Sequence, residues 1–146
     1  MKVLFICYAN VCRSFMAQEL LKKAVPEADV FSRGLYADPS YTIPSKVLAF
    51  LAEQGITPHE HIPTPLRAQD LQTADLILLM QQCHLDQLAD RYAQYSDKMY
   101  LLNEFAFGQE TDIADPISLS GKAFKKSAAQ LAHAVQAVAQ KLANRH

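Results

Sequence analysis

The chain has 146 residues, 50% of them hydrophobic, which is enough apolar material for one domain with its own core and too little length for a second. A net charge of −1, with 20% of residues charged, leaves no basic stripe for nucleic acid and no acidic tail. Three cysteines, Cys7, Cys12 and Cys83, point to reduced thiols rather than a disulfide scaffold, and the five histidines are too scattered for a metal site, so neither metal nor cofactor is expected.

Lys2 precedes a short apolar run, Val3 to Cys7. The run is too short for a signal-peptide core and no small-residue cleavage site follows, so it reads as a first strand. No later stretch approaches the ~20 apolar residues of a membrane helix, and neither end carries a lipidation motif. A cytoplasmic protein with no membrane partner is expected.

Cys7-Tyr8-Ala9-Asn10-Val11-Cys12-Arg13-Ser14 then leads from the strand's carboxyl end into a helix, Ser14 to Ala24, which carries Met16, Leu20 and Leu21 at helical spacing. Open α/β sheets bind their ligands at that end of a strand. A loop wrapped there turns backbone N–H groups inward, the helix N-terminus adds partial positive charge, and Arg13 can chelate two oxygens of a phosphoryl group. The residues from Tyr8 to Ser14 would form the anion cradle, with Cys7 at its base, where the same field favours a thiolate nucleophile over a thiol. Ser14, read as the helix N-cap, would satisfy orphan backbone donors and offer its hydroxyl to that thiolate.

Val30 to Ser32 reads as a second strand, Ser45 to Gln54 as a helix with Val47, Leu48 and Leu51 on one face, and Leu76 to Met80 as a third strand. Gly34 to Pro44 and Gly55 to Pro65 are irregular, Pro-containing connections of the kind that carry recognition loops. Leu85 to Tyr92 is a further amphipathic stretch, Met99 to Leu102 a fourth strand, and a last helix runs from about residue 122 to 144. Such alternation with right-handed crossovers predicts one α/β domain over residues 1–146: a doubly wound, four-stranded parallel sheet with helices on both faces and a phosphate-binding loop after strand one.

Asp115-Pro116 lies in the loop after the fourth strand. All carboxyl ends of a parallel sheet open on one side, so this loop can fold over the Cys7 cradle. A carboxylic acid placed there would protonate the phenolate leaving from phosphotyrosine, and its carboxylate would then activate water against a phosphocysteine. An Asp-Pro pair by itself is an ordinary turn.

These residues resemble the low-molecular-weight protein tyrosine phosphatase family, whose signature is Cys-x-Gly-Asn-x-Cys-Arg-Ser-Pro near the N-terminus with an Asp-Pro loop near the C-terminus. The likeness spans the chain: Ser32-Arg33-Gly34 matches a Ser-Ala-Gly segment, Gly55 to His61 a Gly…His stretch, and Asp75 to Met80 an Asp-Leu-Ile…Met strand. It implies a protein tyrosine phosphatase with Cys7 as nucleophile, Arg13 as phosphate ligand, Ser14 supporting the thiolate and Asp115 as general acid. Asn10, Ser32 and His61 would hold the loop in shape, Asn10 being suited to a left-handed backbone. Cys12 would be the redox partner of Cys7, the substrate a phosphotyrosine-containing protein, and a tyrosine kinase the opposing partner.

Three positions depart from the signature. Ala9 stands for Gly and would be strained if the position needs positive φ, Phe15 stands for Pro, and Ile117 replaces the aromatic after Asp-Pro, leaving the substrate wall to Tyr8, Tyr36 or Tyr41. Three other readings share the motif. An arsenate reductase would need a cysteine relay beyond Cys83, a protein-arginine phosphatase has Thr where Val11 stands, and a phospho-binding module would have no use for Asp115.

Overall fold

In the computed structural model, which describes residues 1–58 and 60–144, the sheet is built around β1 (Lys2–Cys7), whose residues from Val3 onward are all buried. Val3, Phe5 and Cys7 enter one apolar cluster while Leu4 and Ile6 enter another, so successive side chains feed the two faces of the sheet. The chain continues through α1 (Arg13–Ala24), β2 (Asp29–Gly34), α2 (Ser45–Glu53), α3 (Ala68–Thr73), β3 (Leu76–Leu79), α4 (Gln82–Arg91), a 3₁₀ turn (Ala93–Lys98), β4 (Met99–Leu101), α5 (Leu102–Phe107) and α6 (Gly121–Ala143). The strands are parallel in the order β2-β1-β3-β4. The larger cluster unites β1 and β3 with α1, α2, α5 and α6, and the smaller one joins the opposite sheet face to Leu71 of α3 and Leu88 of α4. The doubly wound α/β domain expected from the sequence is therefore the fold. His59, Arg145 and His146, which enter only the histidine count, the Gly55–His61 stretch and the outer limit of the domain, lie outside the described residues.

Several boundaries differ from the sequence reading for local reasons. The short helices α3 and α5 and the 3₁₀ turn each have six residues, too few to show a helical period. Each short helix starts instead on a carboxylate that folds back to a backbone N–H: Asp70 accepts from Arg67 at 3.0 Å and Glu104 from Leu101 at 3.2 Å. Leu102 consequently opens α5 rather than ending β4, and the Asp115 loop follows α5. Helix α4 begins three residues before Leu85, because the Asp112 side chain accepts the Gln82 N–H at 2.8 Å. Helix α1 begins at Arg13 with Cys12 as its cap residue, so Ser14 lies inside the first turn and makes no capping bond. Among the described residues, no helix is long and apolar enough to cross a membrane.

Candidate active site

β1 is an inner strand, and its last residue, Cys7, pairs with Gly34 of β2. From there the chain turns through Tyr8 to Cys12 against β2. A Cβ on Gly34 would come within 2.9 Å of the Tyr8 carbonyl oxygen and the Ala9 carbonyl carbon, so only glycine lets the loop lie this close. The loop reverses at Asn10, whose φ of 62° is the sole positive value outside glycine among the described residues. The left-handed conformation expected at Asn10 is present. Strain at Ala9 is not, because its φ is negative; the turn is made one residue later, by a side chain that compensates through hydrogen bonds.

Those bonds form a directed chain. Asn10 Nδ2, which can only donate, gives one hydrogen to Ser14 Oγ at 2.8 Å and the other to Ser32 Oγ at 2.9 Å. The Ser32 hydroxyl donates to Gln18 Oε1 at 2.6 Å, and the Gln18 amide is oriented by its own donation to Glu19 at 3.3 Å. Ser14 Oγ lies 2.9 Å from Cys7 Sγ and, while accepting from Asn10, keeps its own hydrogen to give to a thiolate there. The Asn10 backbone N–H points at the same sulfur from 3.3 Å. Asn10 Oδ1 accepts from the Thr64 N–H at 3.0 Å, and its carbonyl accepts from His61 Nε2 at 2.9 Å, which fixes the imidazole proton on Nε2. Gln18 and Thr64 gave no signal in the sequence: each acts through a partner distant in the chain, and neither residue type is distinctive of chemistry.

Arg13, only 2% exposed, donates from Nη1 to the Ile113 carbonyl at 2.8 Å and holds Nη2 at 3.6 Å from Asp115 Oδ2. The acid loop is thus drawn onto the cradle across 100 positions of sequence. Its upstream side is also pinned to the sheet, since the Ile113 N–H donates to the Met80 carbonyl at 2.8 Å. Asp115 Oδ1 accepts the Ile117 N–H at 3.1 Å, so the Asp-Pro turn and the exposed carboxylate belong to one unit. Cys7, Tyr8, Ala9, Val11, Cys12, Arg13, Asp115 and Ile117 line a cavity of about 230 Å³.

Tyr8, which lines the cavity, and Tyr36 are exposed and meet at 4.9 Å between ring centroids. Of the residues expected to wall the substrate, Tyr8 and Ile117 line the cavity, and Tyr36 and Tyr41 do not. Phe15 is buried with its ring stacked 4.2 Å from His61, which binds the 55–65 connection to the first turn of α1. His84, another residue the sequence did not single out, lies under Tyr8 at 6.2 Å. Burial lowers its affinity for a proton, as does the Arg13 charge, and burial does the same at His61. The Cys12 thiol is pushed up to about 12, chiefly by burial and then by the charges of Asp115 and Cys7, so it stays protonated at neutral pH. Among the described residues, no three His, Cys, Asp or Glu side chains gather closely enough to hold a metal ion.

Residues 2–146 match the family described as low molecular weight phosphotyrosine protein phosphatase. The protein-arginine-phosphatase of Bacillus subtilis (strain 168) is 30% identical over 146 residues, 97% of each chain. The solved low molecular weight protein tyrosine phosphatase from T. tengcongensis has a TM-score of 0.88 at 33% identity and covers 97% of this chain and 99% of that one. A structure described as a C7S mutant of the arginine phosphatase YwlE with a phosphorylated active-site serine has a TM-score of 0.92 at 28% identity, covering 100% of this chain and 98% of that one.

Proposed function

Since the chain belongs to the low molecular weight phosphotyrosine protein phosphatases, cysteine-dependent hydrolases of phosphorylated proteins, we propose that it hydrolyses phosphotyrosine through a phosphocysteine on Cys7. The observation that carries this reading is a shared cavity: Cys7, with the Ser14 hydroxyl 2.9 Å from its sulfur, and Asp115, beside Arg13, line one space.

The Cys7 thiolate attacks phosphorus while the bond to the phenolic oxygen breaks, and Asp115 gives that oxygen its proton. Arg13 and the backbone from Tyr8 to Ser14 hold the equatorial oxygens, where charge is retained through the transition state. The Asp115 carboxylate then takes a proton from water, which attacks phosphorus, breaks the S–P bond and releases phosphate. Tyr8, backed by Tyr36, and Ile117 flank the leaving ring, while Asn10, Ser32 and His61 keep the loop in shape. Cys12, in the same loop, is the thiol that would take an oxidised Cys7 into a disulfide, with loss of water from the sulfenic acid. The cytoplasm, where such thiols stay reduced, is the compartment that suits this chemistry, and a tyrosine kinase is the opposing partner that supplies substrate.

A protein-arginine phosphatase is the second reading, favoured by the name of the Bacillus subtilis relative. The aliphatic Val11 in the cavity lining suits a phenyl ring better than a guanidinium, whose N–H groups need acceptors. Turnover of phosphotyrosyl and phosphoarginyl peptides by wild type and Cys7→Ser tests both. Wild type should prefer phosphotyrosine, and Cys7→Ser should hydrolyse neither while still binding inorganic phosphate. Preference for phosphoarginine would replace the substrate; turnover near wild type in Cys7→Ser would end the covalent reading.

A further inference from the structure

Lys46 lies in the first turn of α2, where the helix field disfavours a cation. Its ammonium nevertheless turns to the loop that follows Asp115. It donates to the carbonyls of Pro116 at 3.3 Å, Leu119 at 2.6 Å and, most closely, Ile117. A lysine ammonium has three N–H donors, so these three carbonyls use all of them. The stem carries the charge over the Phe124 ring, 5.3 Å from its centroid.

The two sides of the acid loop are held differently. Upstream of Asp115, the Asn103 amide donates to Thr111, the Gln82 N–H to the Asp112 carboxylate, the Ile113 N–H to the Met80 carbonyl, and Arg13 to the Ile113 carbonyl. Downstream, the turn is closed by the Leu119 N–H on the Pro116 carbonyl, an internal bond that does not tie it to the rest of the fold. Among the described residues, the side-chain hydrogen bonds that reach this turn from elsewhere in the fold come from Lys46. The carbonyls it gathers begin one residue after Asp115, so the direction in which that carboxyl faces Arg13 depends on where the turn is held.

We propose that Lys46 is a positioning residue for the general acid: it clamps the 116–119 turn against α2 and so keeps Asp115 over the Cys7 cradle. The inference rests on the reading of Asp115 as proton donor. It acts through Asp115 and adds no ligand to the phosphate.

Lys46→Met keeps the hydrocarbon stem and removes the charge and all three donors. kcat/KM, which reports the steps up to departure of the aryl group and not the later hydrolysis of phosphocysteine, is measured on phenyl phosphate, whose leaving group needs a proton, and on p-nitrophenyl phosphate, whose leaving group departs readily unprotonated. Misplacing a catalytic group by an ångström costs up to roughly 100-fold, so Lys46→Met should slow phenyl phosphate by about 10- to 100-fold and p-nitrophenyl phosphate much less. The inhibition constant for inorganic phosphate should stay unchanged. In an Asp115→Asn background, Lys46→Met should add no further loss, since the group it positions is gone. Equal loss on both esters, weaker phosphate inhibition in step with turnover, or the same loss with and without Asp115 would each overturn the inference. Should Asp115→Asn itself slow both esters alike, the acid reading fails and the clamp fails with it. Selective loss in Asp115→Asn together with wild-type behaviour in Lys46→Met removes the clamp alone.

Discussion

Asn10 donates both amide hydrogens and Ser32 spends its own on Gln18, while Ser14, which accepts from Asn10, keeps its hydroxyl hydrogen for a thiolate at Cys7 Sγ, 2.9 Å away. A hydrogen bond to a charged acceptor contributes about 1.5–3 kcal/mol, so Ser14→Ala should slow Cys7 alkylation by iodoacetate at neutral pH, and turnover with it, by about 10- to 100-fold. Gln18→Leu should produce a smaller loss of the same kind, because Ser32 is then free to turn its hydrogen elsewhere. Alkylation at the wild-type rate in Ser14→Ala would show that the backbone N–H of Asn10 suffices. The sequence made Cys7, Arg13 and Ser14 legible because a nucleophile, a planar cation and a hydroxyl at close spacing after an apolar strand have few other uses. It made Asn10 legible as a left-handed residue but left open whether Ala9 also needs positive φ, since φ at two adjacent turn residues cannot be apportioned without the bonds that hold them.

At the scale of elements, the four strands and the four long helices were readable from period and polarity, while α3 and α5 were not, since a carboxylate folded onto a backbone N–H defines them better than any repeat does. The 55–65 connection was recognisable as irregular, yet its attachment is a tertiary fact: His61 and Thr64 bond to Asn10, and His61 stacks on Phe15. That attachment makes stability depend on pH. Burial is the main cause of the lowered proton affinity of His61 and of His84, with Lys22 and Arg33 adding to it at the first and Arg13 at the second. Glu19 and the Asn10 carbonyl oppose it at His61, and Asp112 at His84. Unfolded, both rings take up protons near 6.5; folded, only at lower pH. Between those limits the unfolded chain holds more protons, so the contribution is complete above about pH 6.5 and is lost as pH falls through the folded values. Urea unfolding from about pH 8 to about pH 5 should show stability declining below about 6.5. His84→Leu should reduce the slope, as it removes one titrating ring whose Nδ1 has no partner. A wild-type profile that is flat below 6.5 would mean that the rings are hydrated on acidification.

For the molecule as a whole, the strand order β2-β1-β3-β4 puts β1 inside the sheet with its carboxyl end beside those of β2 and β3, and the site is assembled from segments that the sequence separates widely. Arg13 is the joint, since its Nη1 reaches the Ile113 carbonyl across 100 positions and its guanidinium is buried. An oxyanion in the cradle would bind Arg13 and the loop backbone of the folded chain and nothing in the unfolded one, so it should stabilise the entire domain. At about 100 times its dissociation constant, such a ligand contributes ~2.7 kcal/mol. In a domain of this size 1 kcal/mol corresponds to roughly 2–4 °C, so inorganic phosphate should raise the melting temperature by about 5–10 °C. Cys7→Ser should keep the shift, because the cradle does not depend on the thiolate. Arg13→Lys should lose most of it, because an ammonium cannot span two oxygens while also serving Ile113. Comparing shifts rather than absolute melting temperatures removes the cost of the substitution itself, which in Arg13→Lys includes a weakened bond to the Ile113 carbonyl. A shift retained in full by Arg13→Lys would place the anion away from Arg13 and separate phosphate binding from the loop that carries Cys7.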